Sequence, residues 1–190
     1  MPVTSHLLEV RELAGRSFVT LGNLPECPSA PEMTLLADVL VALVEMHGAW
    51  SGTRTTVQVL ATVPREVATR TPLVYYKLRS EAGAAALVAV SDRTELAACL
   101  SKSWGTIRPL VLCATDPSRI CAEDLEELEG PQETPRGSLS EAASFLALRW
   151  FHPIQVDFYS STFTPSALAD VIRAVYAERG ALVEQVFEHF

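Results

Sequence analysis

Four cysteines (Cys27, Cys99, Cys113, Cys121) and four histidines (His6, His47, His152, His189) are the side chains with the chemistry for metal binding or nucleophilic catalysis. A zinc site needs ligands at short regular spacing, such as C-x-x-C or H-x-x-x-H, and neither occurs. Three of the cysteines stand among apolar or small residues, where a free thiol behaves as a small hydrophobe. The expectation is reduced, structural cysteines in a cytoplasmic or nuclear protein, with no metal. Nucleophilic catalysis would need a base beside the nucleophile. No G-x-S-x-G is present, and no His follows a predicted strand in a position that pairs with Cys113 or Ser160.

Carboxylates are the other conspicuous group. Glu123, Asp124, Glu126, Glu127, Glu129 and Glu133 run without a basic residue before Arg136. Such a run reads as a solvated helix face and loop, or as a docking element that steers a basic partner, with Glu126 and Glu127 at its centre.

The elements that must position these groups follow from periodicity and punctuation. Leu7–Leu13 and Ser17–Leu21 read as strands around a turn at Ala14–Arg16, followed by a turn-rich loop, Gly22–Ser29. Pro31 suits a first helical turn, Leu35, Leu36, Val39, Leu40, Leu43 and Val44 fall at helical spacing, and Gly48 is a natural stop. Thr53–Val63 and Leu73–Leu78 are strands rich in β-branched or aromatic residues. Ala84–Val90 is an apolar strand without alternation, as for a strand covered on both faces. Asp92 and Glu95 form a capping box opening a helix to about Trp104, and Pro109–Ala114 is a strand. Strand, helix, strand predicts an adjacent parallel pair with a right-handed crossover. Ser138 and Glu141 form a second capping box, predicting a helix through Arg149. Ile154–Tyr159 is a strand, and Thr164-Pro165 opens a last helix with Leu168, Val171, Ile172 and Val175 inward. The apolar stripe resumes as Leu182, Val183, Val186, Phe187 and Phe190, predicting a helical extension over about 180–190. The expectation is one domain over 1–190, α/β, with a three-layer, mostly parallel sheet and helices on both faces.

In open parallel α/β sheets ligands sit at the carboxyl ends of the strands. The residues there are Gly22–Ser29, Ser91-Asp92, Thr115-Asp116-Pro117 and Ser160-Ser161-Thr162. With ALVAVSD, RPLVLCATD, SEAASFLALRW and IQVDFYSS in this order, residues 16–178 resemble a Ras-like small GTPase. The resemblance implies a small-GTPase-like (P-loop NTPase-like) topology. It places the phosphate loop G-x-x-x-x-G-K-[ST] on Gly22 to Ser29, where Gly22 and Ser29 match. The second Gly becomes Cys27 and the Lys becomes Pro28. That loop works by aiming backbone N–H groups and an ammonium at phosphates, and Pro25 and Pro28 each remove an N–H. The chain's two lysines are Lys77 and Lys102, so no shift of register supplies one. The metal-side Asp of D-x-x-G becomes Ser80, N-K-x-D keeps only Asp116, and S-A-K keeps only Ser160. Phosphoryl transfer depends on such cations and positioning groups. The resemblance therefore implies a pseudoGTPase, with no nucleotide, cofactor or catalysis and with vestigial positions Gly22, Cys27, Pro28, Ser29, Asp116 and Ser160.

Composition narrows the partners. The 190 residues carry a net charge of −8, which argues against nucleic acid, since basic side chains on phosphates supply most non-specific affinity. The apolar stretch around Gly83–Val90 is far short of the roughly 20 residues that span a bilayer. Glu9, Arg11 and Glu12 interrupt the N-terminal apolar run, unlike a signal peptide. The leading expectation is a non-catalytic scaffold or adaptor subunit working through protein partners in a multi-subunit assembly. Its interaction candidates are Glu126, Glu127, Leu182, Val186, Phe187 and Phe190. One alternative is an atypical guanine-nucleotide binder that keeps Ser29 and Asp116 as contacts. The other is a Cys- or Ser-dependent α/β enzyme.

Overall fold

A computed structural model describes residues 5–13, 16–48, 56–63, 75–76, 84–103, 110–114, 119, 143–150 and 155–187. In chain order the elements are β1 (His6–Leu13), β2 (Arg16–Gly22), α1 (Ala30–Met46), β3 (Thr56–Val63), β4 (Tyr75–Tyr76), β5 (Ala84–Val90) and α2 (Arg93–Ser103). They continue with β6 (Leu110–Ala114), β7 (Ala143–Trp150), β8 (Gln155–Ser160), α3 (Pro165–Glu178) and β9 (Val183–Phe187). The nine strands form one sheet in the order β4-β5-β3-β6-β7-β8-β2-β1-β9. Every neighbouring pair is antiparallel except β1 with β9.

This corrects the expected mostly parallel, small-GTPase-like sheet. β5 and β6 do run in the same direction, as strand–helix–strand requires, but β3 lies between them and is antiparallel to both. Periodicity reports that a crossover returns to the sheet. It does not report which strand fills the gap.

The helix expected through Arg149 is instead β7 over Ala143–Trp150. Phe145 and Ala147 belong to the core beneath the helices, while Leu146 is buried outside that core cluster. A strand buried on both faces has no polar alternation, so its apolar pattern also fits a helix. Ladders to β6 and β8 on either side decide the matter. The expected tail helix is likewise β9. Gly180, at φ 63°, ends α3 in the left-handed region that glycine adopts readily, and Val183–Phe187 then pairs with His6–Val10.

Among the described residues the three helices form a single layer, α1 between α2 and α3, where helices on both faces are expected. α1 forms for the reasons its sequence predicts. Pro stands in its first turn and Gly48 (φ 74°) follows its end, while Ser29, read from the sequence only as a loop residue, is its N-cap. It buries Leu35, Leu36, Ala37, Val39, Leu40, Val41, Leu43 and Val44, at roughly 1.5–3 kcal/mol gross for each larger side chain. Opposite them lie Leu8, Val19, Leu21, Val57, Val59, Val111, Cys113, Phe145, Val156 and Phe158 from six strands, together with Leu96, Leu168 and Ile172. The other parity of these strands is buried too, at Phe18, Thr20, Leu110, Leu112, Leu146 and Asp157.

Candidate functional site

The loop that the resemblance assigns to phosphate does keep its place between a strand end and a helix N-terminus. β2 stops at Gly22, and Asn23 turns the chain with φ 59° while its Nδ2 donates to the Ser5 carbonyl at 3.0 Å. Gly22 has no positive φ, and a Cβ there would meet nothing within 4 Å. Neither backbone strain nor packing within the described chain requires a glycine at this position. Cys27 is exposed with a free thiol, and Pro28 is half-buried. Ser29 donates from both its backbone N–H and its Oγ to Glu32 Oε2, each at 2.7 Å. Free N–H groups and a positive dipole end would suit an anion here. The chain supplies that anion itself, and a phosphate would meet the Glu32 carboxylate.

Ser160 closes β8, and its oxygen is heavily engaged. Its hydroxyl donates to the Ser144 carbonyl at 3.0 Å and accepts from the N–H groups of Thr162 (3.1 Å) and Phe163 (3.0 Å). His47, just past α1, brings Nε2 to 3.3 Å from the same oxygen. With the serine proton on a carbonyl, the imidazole contributes an N–H rather than a basic lone pair. His47 is held between Phe145 and Phe163, with ring centroids at 5.4 and 5.0 Å. Burial lowers its pKa to about 4, so the ring is neutral near pH 7. A serine whose hydroxyl already donates to one carbonyl and accepts from two backbone N–H groups, with no carboxylate among the described contacts of its histidine, is a turn-locking group.

Cys113 lies in β6 and is fully buried, and burial pushes its thiol up to about 12. The nucleophilic thiolate is negligible at neutral pH. Asp116, Glu126, Glu127 and Phe190 lie outside the described residues. Val186 and Phe187 take backbone positions opposite Glu9 and Val10 of β1. Leu182, immediately before β9, is 63% exposed and is the exposed large hydrophobic among the described residues.

Sequence reasoning missed the groupings that depend on strand order. Thr20 and Asp157 face each other across β2 and β8, and the Thr20 hydroxyl donates to Asp157 Oδ1 at 2.5 Å. Both are buried, and Gln155 Nε2 reaches the same oxygen at 3.5 Å. His6 is buried against α3, with Nδ1 2.6 Å from the Tyr176 hydroxyl. Burial lowers the His6 pKa while nearby Glu32 opposes the shift, and burial first and Glu32 second raise that of Tyr176. On the helix layer, Asp38 of α1 takes Arg93 at 2.9 Å and Arg179 at 2.6 Å. These ion pairs tie the three helices together beside an open cleft of about 150 Å³. The only local signal for any of these was an isolated polar residue in an apolar run.

Among the described residues no group of three or more His, Cys, Asp or Glu could hold a metal ion. No described helix is long and apolar enough to cross a membrane. Comparison of the chain with models of known protein families, with curated proteins and with solved structures gives no match.

Proposed function

We propose that this protein is a non-catalytic interaction subunit that holds partner proteins through its sheet and helix layer. The observation that carries the reading is the position of the tail. Leu182 stands in solvent at the start of a strand that forms the outer edge of a nine-stranded sheet, and exposed apolar side chains beside unpaired backbone are what protein interfaces cover.

The groups that would favour a nucleotide or a nucleophilic enzyme are engaged within the chain. Glu32 takes the N–H and hydroxyl of Ser29, the Ser160 oxygen is saturated by local backbone, and the Cys113 thiol is buried. The acidic balance makes basic surfaces the favoured partners and nucleic acid a poor one. The test is purification of the full chain from its native source with its complexes intact. Co-elution in fixed proportion with another protein, and no nucleotide released on denaturation, is the expected result. Stoichiometric GDP or GTP in the supernatant, or labelling of Ser160 by a fluorophosphonate, would overturn the reading.

A further inference from the structure

The outer edge of β9 is chemically specific. β9 pairs in parallel with β1 over five unbroken positions, from His6 with Val183 to Val10 with Phe187, and ends the sheet on that side. An edge strand presents a row of unpaired N–H and C=O groups. Proteins that must not extend their sheets blunt such edges with very short strands, charged residues (Lys above all), Pro or a bulge, and of these charges β9 carries the exposed carboxylate of Glu184. Val183–Phe187 contains neither Pro nor Lys, and its register with β1 is regular. Val183 packs toward the core, whereas Leu182 and Glu184 are exposed. Among the described side chains the edge thus offers an apolar contact at Leu182 and a carboxylate at Glu184 beside its backbone hydrogen-bonding groups.

We propose that β9 is the docking edge for an extended, basic segment of a partner protein, which adds to the sheet as a tenth strand. The inference rests on the interaction reading above and names the partner's chemistry. Main-chain bonds would supply affinity and alternate side chains specificity. A Lys or Arg opposite Glu184 gains a cross-strand ion pair, and an apolar residue two positions along, on the same face, covers Leu182. A second copy of this chain is the poorer occupant, because it brings one Glu184 toward another and a charge of −8 toward −8.

The experiment selects random octapeptides by display on the full chain, then follows the selected peptides by hydrogen exchange and fluorescence anisotropy. The expected sequences carry an apolar residue two positions from a Lys or Arg and lack Pro. They should slow exchange at the β9 amides that do not bond β1. Glu184→Lys, at an exposed site, should weaken them about three- to tenfold at low salt while leaving the thermal melt unchanged. Raising the salt should weaken binding to the parent chain more than to Glu184→Lys. Selected peptides without a basic bias, protection away from residues 183–187, or equal binding to Glu184→Lys would each overturn the proposal. So would a dimer in the ultracentrifuge that itself protects β9. If the chain co-elutes with a partner while the outward β9 amides stay unprotected, this inference fails and the interaction reading survives. Released nucleotide defeats the interaction reading itself.

Discussion

Thr20 and Asp157 are 137 positions apart in sequence and meet only if β2 and β8 are antiparallel neighbours in the observed register. Replacing Thr20 with Val keeps the shape of the side chain and removes the hydroxyl that donates to Asp157 Oδ1 at 2.5 Å. A hydrogen bond to a charged acceptor contributes about 1.5–3 kcal/mol, and loss of the donor leaves a buried carboxylate less well solvated. Both residues are at most 5% exposed, so water does not readily replace the hydroxyl. We expect about 2 kcal/mol of destabilisation, which in a domain of this size lowers Tm by roughly 4–8 °C. The assay is urea unfolding followed by circular dichroism, with an unchanged m-value showing that the unfolded state is not altered. A double-mutant cycle with Asp157→Asn should return a coupling energy above about 1 kcal/mol. A Thr20→Val effect below about 0.5 kcal/mol, or zero coupling, would refute the pairing of β2 with β8 and with it the antiparallel sheet.

Three further outcomes follow from the same geometry. The folded pKa of His47 is depressed, so its contribution to stability is full above about pH 6.5 and lost as pH falls toward about 4. Discounted for a partly exposed ring, the loss is about 1–2 kcal/mol, and it should be absent from the difference between pH 7 and pH 4 in a His47→Phe variant. Iodoacetamide at neutral pH should alkylate exposed Cys27 in the native chain and Cys113 only after unfolding. Rapid native labelling of Cys113, read by peptide mass mapping, would contradict its burial. Truncation after Arg179 removes β9 together with Ala181 and Val183, which pack on the core, and uncovers the β1 edge. The shortened chain should melt at a lower temperature and aggregate in sedimentation assays, whereas a freely projecting tail would leave both unchanged.

The local code was legible in the chain. Pro31 stands in the first turn of α1 where expected, and the Asp92–Glu95 pair does cap α2, with Glu95 N–H donating to Asp92 Oδ1 at 2.9 Å. Glu95 reaches back to Ser91 rather than to the cap residue itself. Thr164 caps α3 and Gly180 ends it. These features depend on contacts within a few residues, which sequence reasoning can evaluate. β7 and β9 were misread because an apolar run without alternation satisfies a buried strand and a helix equally well. Only partners far along the chain distinguish the two. The phosphate loop was judged deficient from its missing lysine. That Glu32 occupies the anion position became visible only with the helix in place.

Taken alone, the chain specified where most strands and helices start and stop, that cysteine and histidine lack metal spacing, and that the net charge is −8. Those properties reside in composition and in interactions between near neighbours. The tertiary structure decided strand order and direction, the common layer of the described helices, the burial of Cys113, and the pairings of Thr20 with Asp157 and of His47 with Ser160. It also turned the tail into a sheet edge. The physical reason is that strand pairing is a contest among distant segments, settled by the burial of both sheet faces and by backbone hydrogen bonds that no local pattern records.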